Sequence, residues 1–284
     1  MPLNYEALQE TVLTDVPVSY TEHDVMLYAL GVGFGINPLD AAVLPYVSEH
    51  AGLCTLPTMA SMIIPESIIA GSGVDLGQVL HRAQSIEVFR PLPASASLLA
   101  NQRVVSIADR GVGKGAEIEL ETELRLARDD TVVCTAGSRV IARGDGGFGG
   151  PPPPVRLRHS MPNREPDLVC DLPTRPDQAL LFRLSGDLNP LHADPEFARQ
   201  AGFDAPILHG RCTYGIACHA ILKTVCDYDF TLISGIDVRF SSPVYPGETI
   251  TTEMWQDGNV ISFRCKVKDR NANVLSNGRC TLLA

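Results

Sequence analysis

The stretch LSGDLNPLHADPEFA puts Asp187 and His192 five residues apart, with Asn189 and Pro190 between them. Taken singly, Asp187 and Asn189 read as turn or cap residues that hydrogen-bond their own backbone, and His192 as an ordinary, partly exposed histidine. Taken together, with Pro190 fixing the backbone, the spacing can aim a carboxylate and an imidazole at one small volume. Such a pair can hold a water molecule and serve as base and acid near neutral pH. His209 lies 17 residues beyond His192 and is followed by Gly210 in PILHGRCTYG. A glycine that opens a helix lets a ligand approach its backbone N–H, and the helix N-terminus favours developing negative charge. That is oxyanion-hole geometry. The plainer alternatives are a loop-to-helix hinge at Gly210 and a capping or core role for His209.

These residues need elements to hold them. TYGIACHAILKTV (213 to 225) carries Ile216, Ala217, Ala220 and Ile221 at helical spacing, and RPDQALLFRL opens with a proline suited to an early helical position. ISGIDVRF, ETITTEMW, NVISFRCKV and NVLSNGRCTLL follow as short strand-like runs separated by turn residues. One half therefore reads as helix, irregular loop, longer helix and antiparallel strands, a sheet wrapped around a helix.

The chain carries this arrangement twice. YALGVG (28 to 33) aligns with FRLSGD (182 to 187) at an offset of 154, and LPT (56 to 58) with LHG (208 to 210) at 152. SIEVFRPLP resembles GIDVRFSSPVYP, and VVCTAGSRVIA resembles VLSNGRCTLLA, in the same order. Between the copies, GDGGFGGPPPP (144 to 154) reads as a linker. The expected organisation is an N-terminal half (1 to 143), the linker and a C-terminal half (155 to 284), together an α+β pseudo-dimer. The first half has lost the chemistry: Gly33 stands opposite Asp187, Pro57 opposite His209 and Thr58 opposite Gly210.

Composition excludes several classes. A net charge of −10 argues against a nucleic-acid partner. Much of the acid is read as the solvated face of a strand, Glu117, Glu119, Glu121 and Glu123 alternating with apolar residues. No apolar run is long enough for a membrane span, and MPLNYEALQE lacks the order of a secretory signal, so the expected compartment is the cytoplasm. Eight cysteines without C-x-x-C spacing read as reduced, packed thiols, with no metal site.

The segment SGDLNPLHADPEFA followed by AGFDAPILHGRCTYG closely resembles the signature of the MaoC-like (R)-specific enoyl-CoA hydratase 2 family, including the hydratase 2 domain of peroxisomal multifunctional enzymes type 2. YALGVG, LPT, HRAQSIEVFRPLP, DRGVGKGA, GGFGG and VRFSSPVYPGE extend the likeness over most of the chain. The resemblance implies a double hot-dog fold and (3R)-specific addition of water to trans-2-enoyl-CoA, or the reverse dehydration, in fatty acid β-oxidation chemistry. No cofactor is implied. By the same likeness Asp187 and His192 are the catalytic pair, with Asp187 as the activator of water and His192 as its proton-exchange partner. Gly210 supplies the thioester-binding amide. Substrate contacts are implied at His81, Arg82, Arg110, Asn189 and Phe240. Two of these depart from the relatives: Arg82 follows His81 where a glycine is usual, and Arg110 stands where lysine is common. The decayed first half would then house the acyl tail, with Met59, Met62, Ile63 and Ile64 as a pliable lining; equally, these residues could form that half's central-helix core. A hot-dog thioesterase, an acyl-carrier-protein dehydratase and a non-catalytic acyl-CoA binding protein are the rival readings. Association into a homodimer of pseudo-dimers is left open.

Overall fold

The structure is a computed structural model that describes residues 3–65 and 68–283. Ten strands form one antiparallel sheet: β1 (Val12–Tyr20), β2 (Val79–Val88), β3 (Ala96–Asp109), β4 (Ala116–Leu126), β5 (Val132–Ala142), β6 (Leu168–Pro173), β7 (Ile233–Phe240), β8 (Thr249–Asp257), β9 (Val260–Val267) and β10 (Ala272–Leu282). Their order is β1-β3-β4-β5-β2-β7-β10-β9-β8-β6. Read inward from either edge, the two halves have the same strand order. That symmetry is the architectural trace of the duplication. The halves join where β2 pairs antiparallel with β7, Ile86 opposite Ile236. The strands β1 in one half and β6 in the other, which lead into the helices Glu22–Gly31 and Gln178–Phe182, are elements the sequence reading did not include.

The central helix of the C-terminal half runs Gly210–Thr224, and every residue from Cys212 to Leu222 is buried. A helix that is apolar all round belongs inside a sheet rather than upon it. Gly215 permits the closest approach: a Cβ there would lie 2.5 Å from Val32 Cγ1, just past the end of the helix Glu22–Gly31. The same helix end receives Gln178 Nε2, which donates to the Gly31 carbonyl at 2.5 Å.

In the N-terminal half the second, longer helix expected from the duplication is replaced, among the described residues, by short 3-10 turns at Pro57–Ser61, Ile68–Gly71 and Leu76–Gln78. Pro65 interrupts the stretch, and proline both lacks the amide a helix needs and clashes with the preceding turn. The core is otherwise continuous across both halves. On β4 the glutamates alternate with buried apolar residues as the pattern predicted. All eight cysteines are free thiols, seven of them buried. Among the described residues, no helix is long and apolar enough to cross a membrane.

The Gly/Pro-rich linker is pinned by one carboxylate. Asp109, at the end of β3, accepts from the N–H groups of Gly111 (2.7 Å), Gly147 (2.8 Å) and Gly149 (2.8 Å). These bonds hold its carboxyl below the usual range. Asp109→Ala is expected to expose residues 144 to 154 to limited proteolysis in otherwise folded protein; an unchanged cleavage rate would show that the proline run alone fixes the linker.

Candidate active site

Asn189 shapes the loop that carries the pair. Its side-chain oxygen accepts from Leu191 N at 3.0 Å, capping the single 3-10 turn Pro190–His192, and its own N–H points to Asp187 Oδ1 at 3.4 Å. This Asx turn puts Asp187 and His192 on one side of the loop. The side chains of Asp187, His192 and His209 each present a polar atom within 4.8 Å of the other two. A single water molecule can bridge groups at such a separation with two ordinary hydrogen bonds.

The tautomers follow from the backbone. His192 is 9% exposed, and its Nδ1–H donates to the Ile207 carbonyl at 2.8 Å. Nε2 is thereby left as the acceptor. His209, 1% exposed, donates from Nε2 to the Asp187 carbonyl at 3.1 Å, and its ring stacks on His192 with centroids 3.7 Å apart. His209 acts as a core residue that holds both members of the pair. A cation could be accommodated at the spacing of these three groups. Two of the four ring nitrogens are already committed to backbone carbonyls.

Burial pushes the Asp187 carboxyl up, but Arg211 foremost, then His209, His192 and His81, outweigh it and hold the group below the usual carboxylate range. His192 is lowered by burial, with its bond to Ile207 and the charge of Asp187 opposing. His81 and His209 are pushed down to about 3, chiefly by burial, aided by Arg211 at His81 and by His192 at His209. Neutral imidazoles beside an ionised carboxylate are therefore the resting state at pH 7. Arg211 is then the charge that keeps Asp187 ionised.

Gly210 opens the central helix directly after His209. At a first helical position the N–H has no intrahelical acceptor and points out along the helix dipole. A Cβ at 210 would lie 3.2 Å from the Phe240 ring, tighter than ordinary contact. Phe240 meets the His81 ring edge-on at 5.8 Å. Contacts and charge thus link His81, Asp187, His192, Gly210 and Phe240 in one cluster. Arg82 and Arg110 group with other arginines instead. The register shifts between His81 and Ala83, and Ala83 pairs with Arg139 of β5 and with Arg239 of β7. Arg110, Arg139 and Arg158 bear on Arg82, whose charge is disfavoured first by burial; Arg82, Arg158 and Arg139 bear likewise on Arg239.

Sequence reasoning passed over Arg211, Arg139, Arg158 and Arg239. The available signal for Arg211 was a charged residue in the first turn of an otherwise apolar helix. The others become neighbours only through strand register.

A cavity of about 450 Å³ is lined by Tyr28, Met59, Met62, Ile63, Ile64 and, two residues before Asp187, Ser185, among others.

A double hot-dog sheet holding an Asp/His pair at the start of its one long central helix defines a hydro-lyase type of site. The comparisons specify the class. Residues 158–277 match the MaoC like domain and residues 18–144 the MFE-2 hydratase 2 N-terminal domain. The chain is 40% identical to "Enoyl-CoA hydratase 2, peroxisomal" of Arabidopsis thaliana over 96% of its length and 94% of the relative's. It is 41% identical to "Enoyl-CoA hydratase ChsH3" of Mycobacterium tuberculosis, covering 97% and 98% of the two chains. The crystal structure of a MaoC-like dehydratase from Phytophthora capsici superposes with a TM-score of 0.86 at 31% identity, covering 99% and 98% of the two chains. This chain belongs to the MaoC-like enoyl-CoA hydratase 2 family.

The buried imidazoles fix a pH dependence of stability. Below 6.5 the unfolded chain takes up protons at His81 and His209 that the folded chain refuses until about 3. Their contribution is present in full above 6.5 and is lost as pH falls toward the folded values. The melting temperature should fall progressively below pH 6.5, with a shallower fall in His209→Asn; identical slopes would contradict this origin.

Proposed function

We propose that the chain hydrates trans-2-enoyl-CoA to (3R)-3-hydroxyacyl-CoA, and catalyses the reverse dehydration, at Asp187, His192 and Gly210. The observation that carries this is the closeness of the Asp187 carboxylate, held low, to His192, whose Nε2 is left as acceptor, in a chain whose central helix opens with Gly210.

Water donates one hydrogen bond to Asp187 and one to His192 Nε2. Its oxygen forms a bond to C3 while one proton passes to the pair, and the electrons of the C2–C3 double bond move toward the thioester oxygen. The Gly210 N–H stabilises that enolate charge. The proton held by the pair is then delivered to C2. Atoms balance with no external reagent. Asp187, held low, stays anionic and can steady an imidazolium at His192, whose Nε2 is left as acceptor, which favours His192 as the proton acceptor; the sequence reading leaned the other way without assigning the roles.

The rest of the ligand follows the same logic. His81 and Phe240 wall the thioester. Arg82, Arg139, Arg158 and Arg239, with Arg110 at the rim, face the phosphates of CoA, for which guanidinium forks are suited. The cavity beside Met59 and Ile63 takes the acyl chain, so the N-terminal half serves accommodation and the C-terminal half chemistry. Asn189 acts mainly through the turn it caps. The cytoplasm is the proposed location, beside relatives whose names are peroxisomal; a tagged chain that collects in an organelle would overturn it. The homodimer is also retained as a proposal, and a monomeric sedimentation coefficient would remove it.

Loss of enoyl-thioester absorbance with crotonyl-CoA tests the chemistry. Asp187→Asn and His192→Ala should each lower kcat by about 10²-fold or more, the scale of a lost acid or base. Turnover persisting in both variants, or release of free CoA thiol in place of hydration, would defeat the proposal. For the phosphate cluster, Arg82→Ala with Arg239→Ala should raise KM about tenfold for the CoA thioester and leave the pantetheine thioester unchanged. Equal effects on the two would remove the cluster from CoA binding and favour a carrier-protein substrate.

A further inference from the structure

Arg211 is an anomaly in the middle of the candidate site. It follows Gly210 in the first turn of a helix whose next eleven residues are all buried. Burial disfavours its charge, and Asp187 and then Tyr28 support it. Its one hydrogen bond among the described residues runs from Nη1 to Met62 Sδ at 3.8 Å, and Nε has no partner. A thioether is a weak acceptor, and a guanidinium does not escape burial by losing its proton. Among the described residues a single sulfur is the one acceptor offered to the guanidinium, and its buried Nε–H is left without any. An unpartnered buried charge is costly, so the arrangement calls for an anion.

Asp187 is not that anion in bonding terms, because no hydrogen bond joins it to Arg211 among the described residues, and its Oδ1 instead accepts from Asn189 N–H. The side chain of Arg211 is half-buried. Met62, which its Nη1 meets, and Tyr28, which bears on its charge, line a cavity of about 450 Å³. Ser185 lines the same cavity, and its Oγ also lacks a partner. Asp24 stands on the cavity wall too, but its Oδ2 accepts from the N–H and hydroxyl of Thr21 in a capping box. A purely hydrocarbon tail would leave both the guanidinium and the hydroxyl dry and unpaired.

We propose that the acyl cavity selects enoyl-CoA substrates whose acyl chain carries a carboxylate, bound by Arg211 and Ser185. Met59 and Ile63 line the apolar path to that end. A carboxylate and a guanidinium form the short, charge-assisted, two-pronged pair that Arg is shaped for. This rests on the hydratase reading and adds the identity of the acyl group to it.

The test compares wild-type hydration of trans-2-hexenedioyl-CoA and trans-2-decenedioyl-CoA, each a mono-thioester, with trans-2-hexenoyl-CoA and trans-2-decenoyl-CoA, and includes crotonyl-CoA. The expected result is a kcat/KM at least tenfold higher for the carboxylate at one of the two lengths. Arg211→Met should reverse that preference, and Ser185→Ala should weaken it without reversing it. A wild-type preference for the hydrocarbon at both lengths would overturn the proposal. So would an Arg211→Met variant that slows all substrates equally with its acid limb moved to higher pH, because Arg211 would then act only through Asp187. Should crotonyl-CoA also go unhydrated, the hydratase reading itself would fail, an outcome distinct from lost selectivity.

Discussion

One full-length helix must cover the inner face of a ten-stranded sheet, and the rest of the structure depends on that constraint. Burial of apolar surface drives the sheet to close around Gly210–Thr224 from every side, at roughly 25 cal/mol for each Å² removed from water. The closure leaves the N-terminus of the helix inside the protein, with N–H groups its own backbone cannot satisfy. A buried helix start is an electrostatic asset only if something anionic comes to it. Asp187, on the loop before that helix, brings a carboxylate whose charge Arg211 of the first helical turn supports.

The second consequence is space. Among the described residues, the N-terminal half carries short 3-10 turns where the other half has its long central helix. Tyr28 and Met59 border a cavity there. At the junction of β2 and β7, the same pairing that joins the halves brings Arg139 and Arg239 to either side of Ala83, so the chain acquires its positive cluster from the seam itself.

Local features were the legible ones. Asp187, Asn189, Pro190 and His192 form a turn whose geometry is set within six residues, and Gly210 announces a helix start by its own lack of a side chain. The helix after it was readable from apolar spacing, although its burial on all faces is a property of the sheet around it. What escaped the sequence was whatever depends on register or on depth. Strands β1 and β6, the short turns of the first half and the arginines of β5 and β7 have no local signature. Arg211 shows the limit most plainly: an arginine in a helix ordinarily points to water, and only the packing of Tyr28 and Met62 against it reveals otherwise.

The most direct test of the account is the configuration at C3 of the alcohol that the wild-type chain makes from crotonyl-CoA. Membership of the hydratase 2 family, with water supplied by Asp187 and His192, predicts (3R)-3-hydroxybutyryl-CoA as the sole hydration product. Formation of the 3S alcohol would contradict that account.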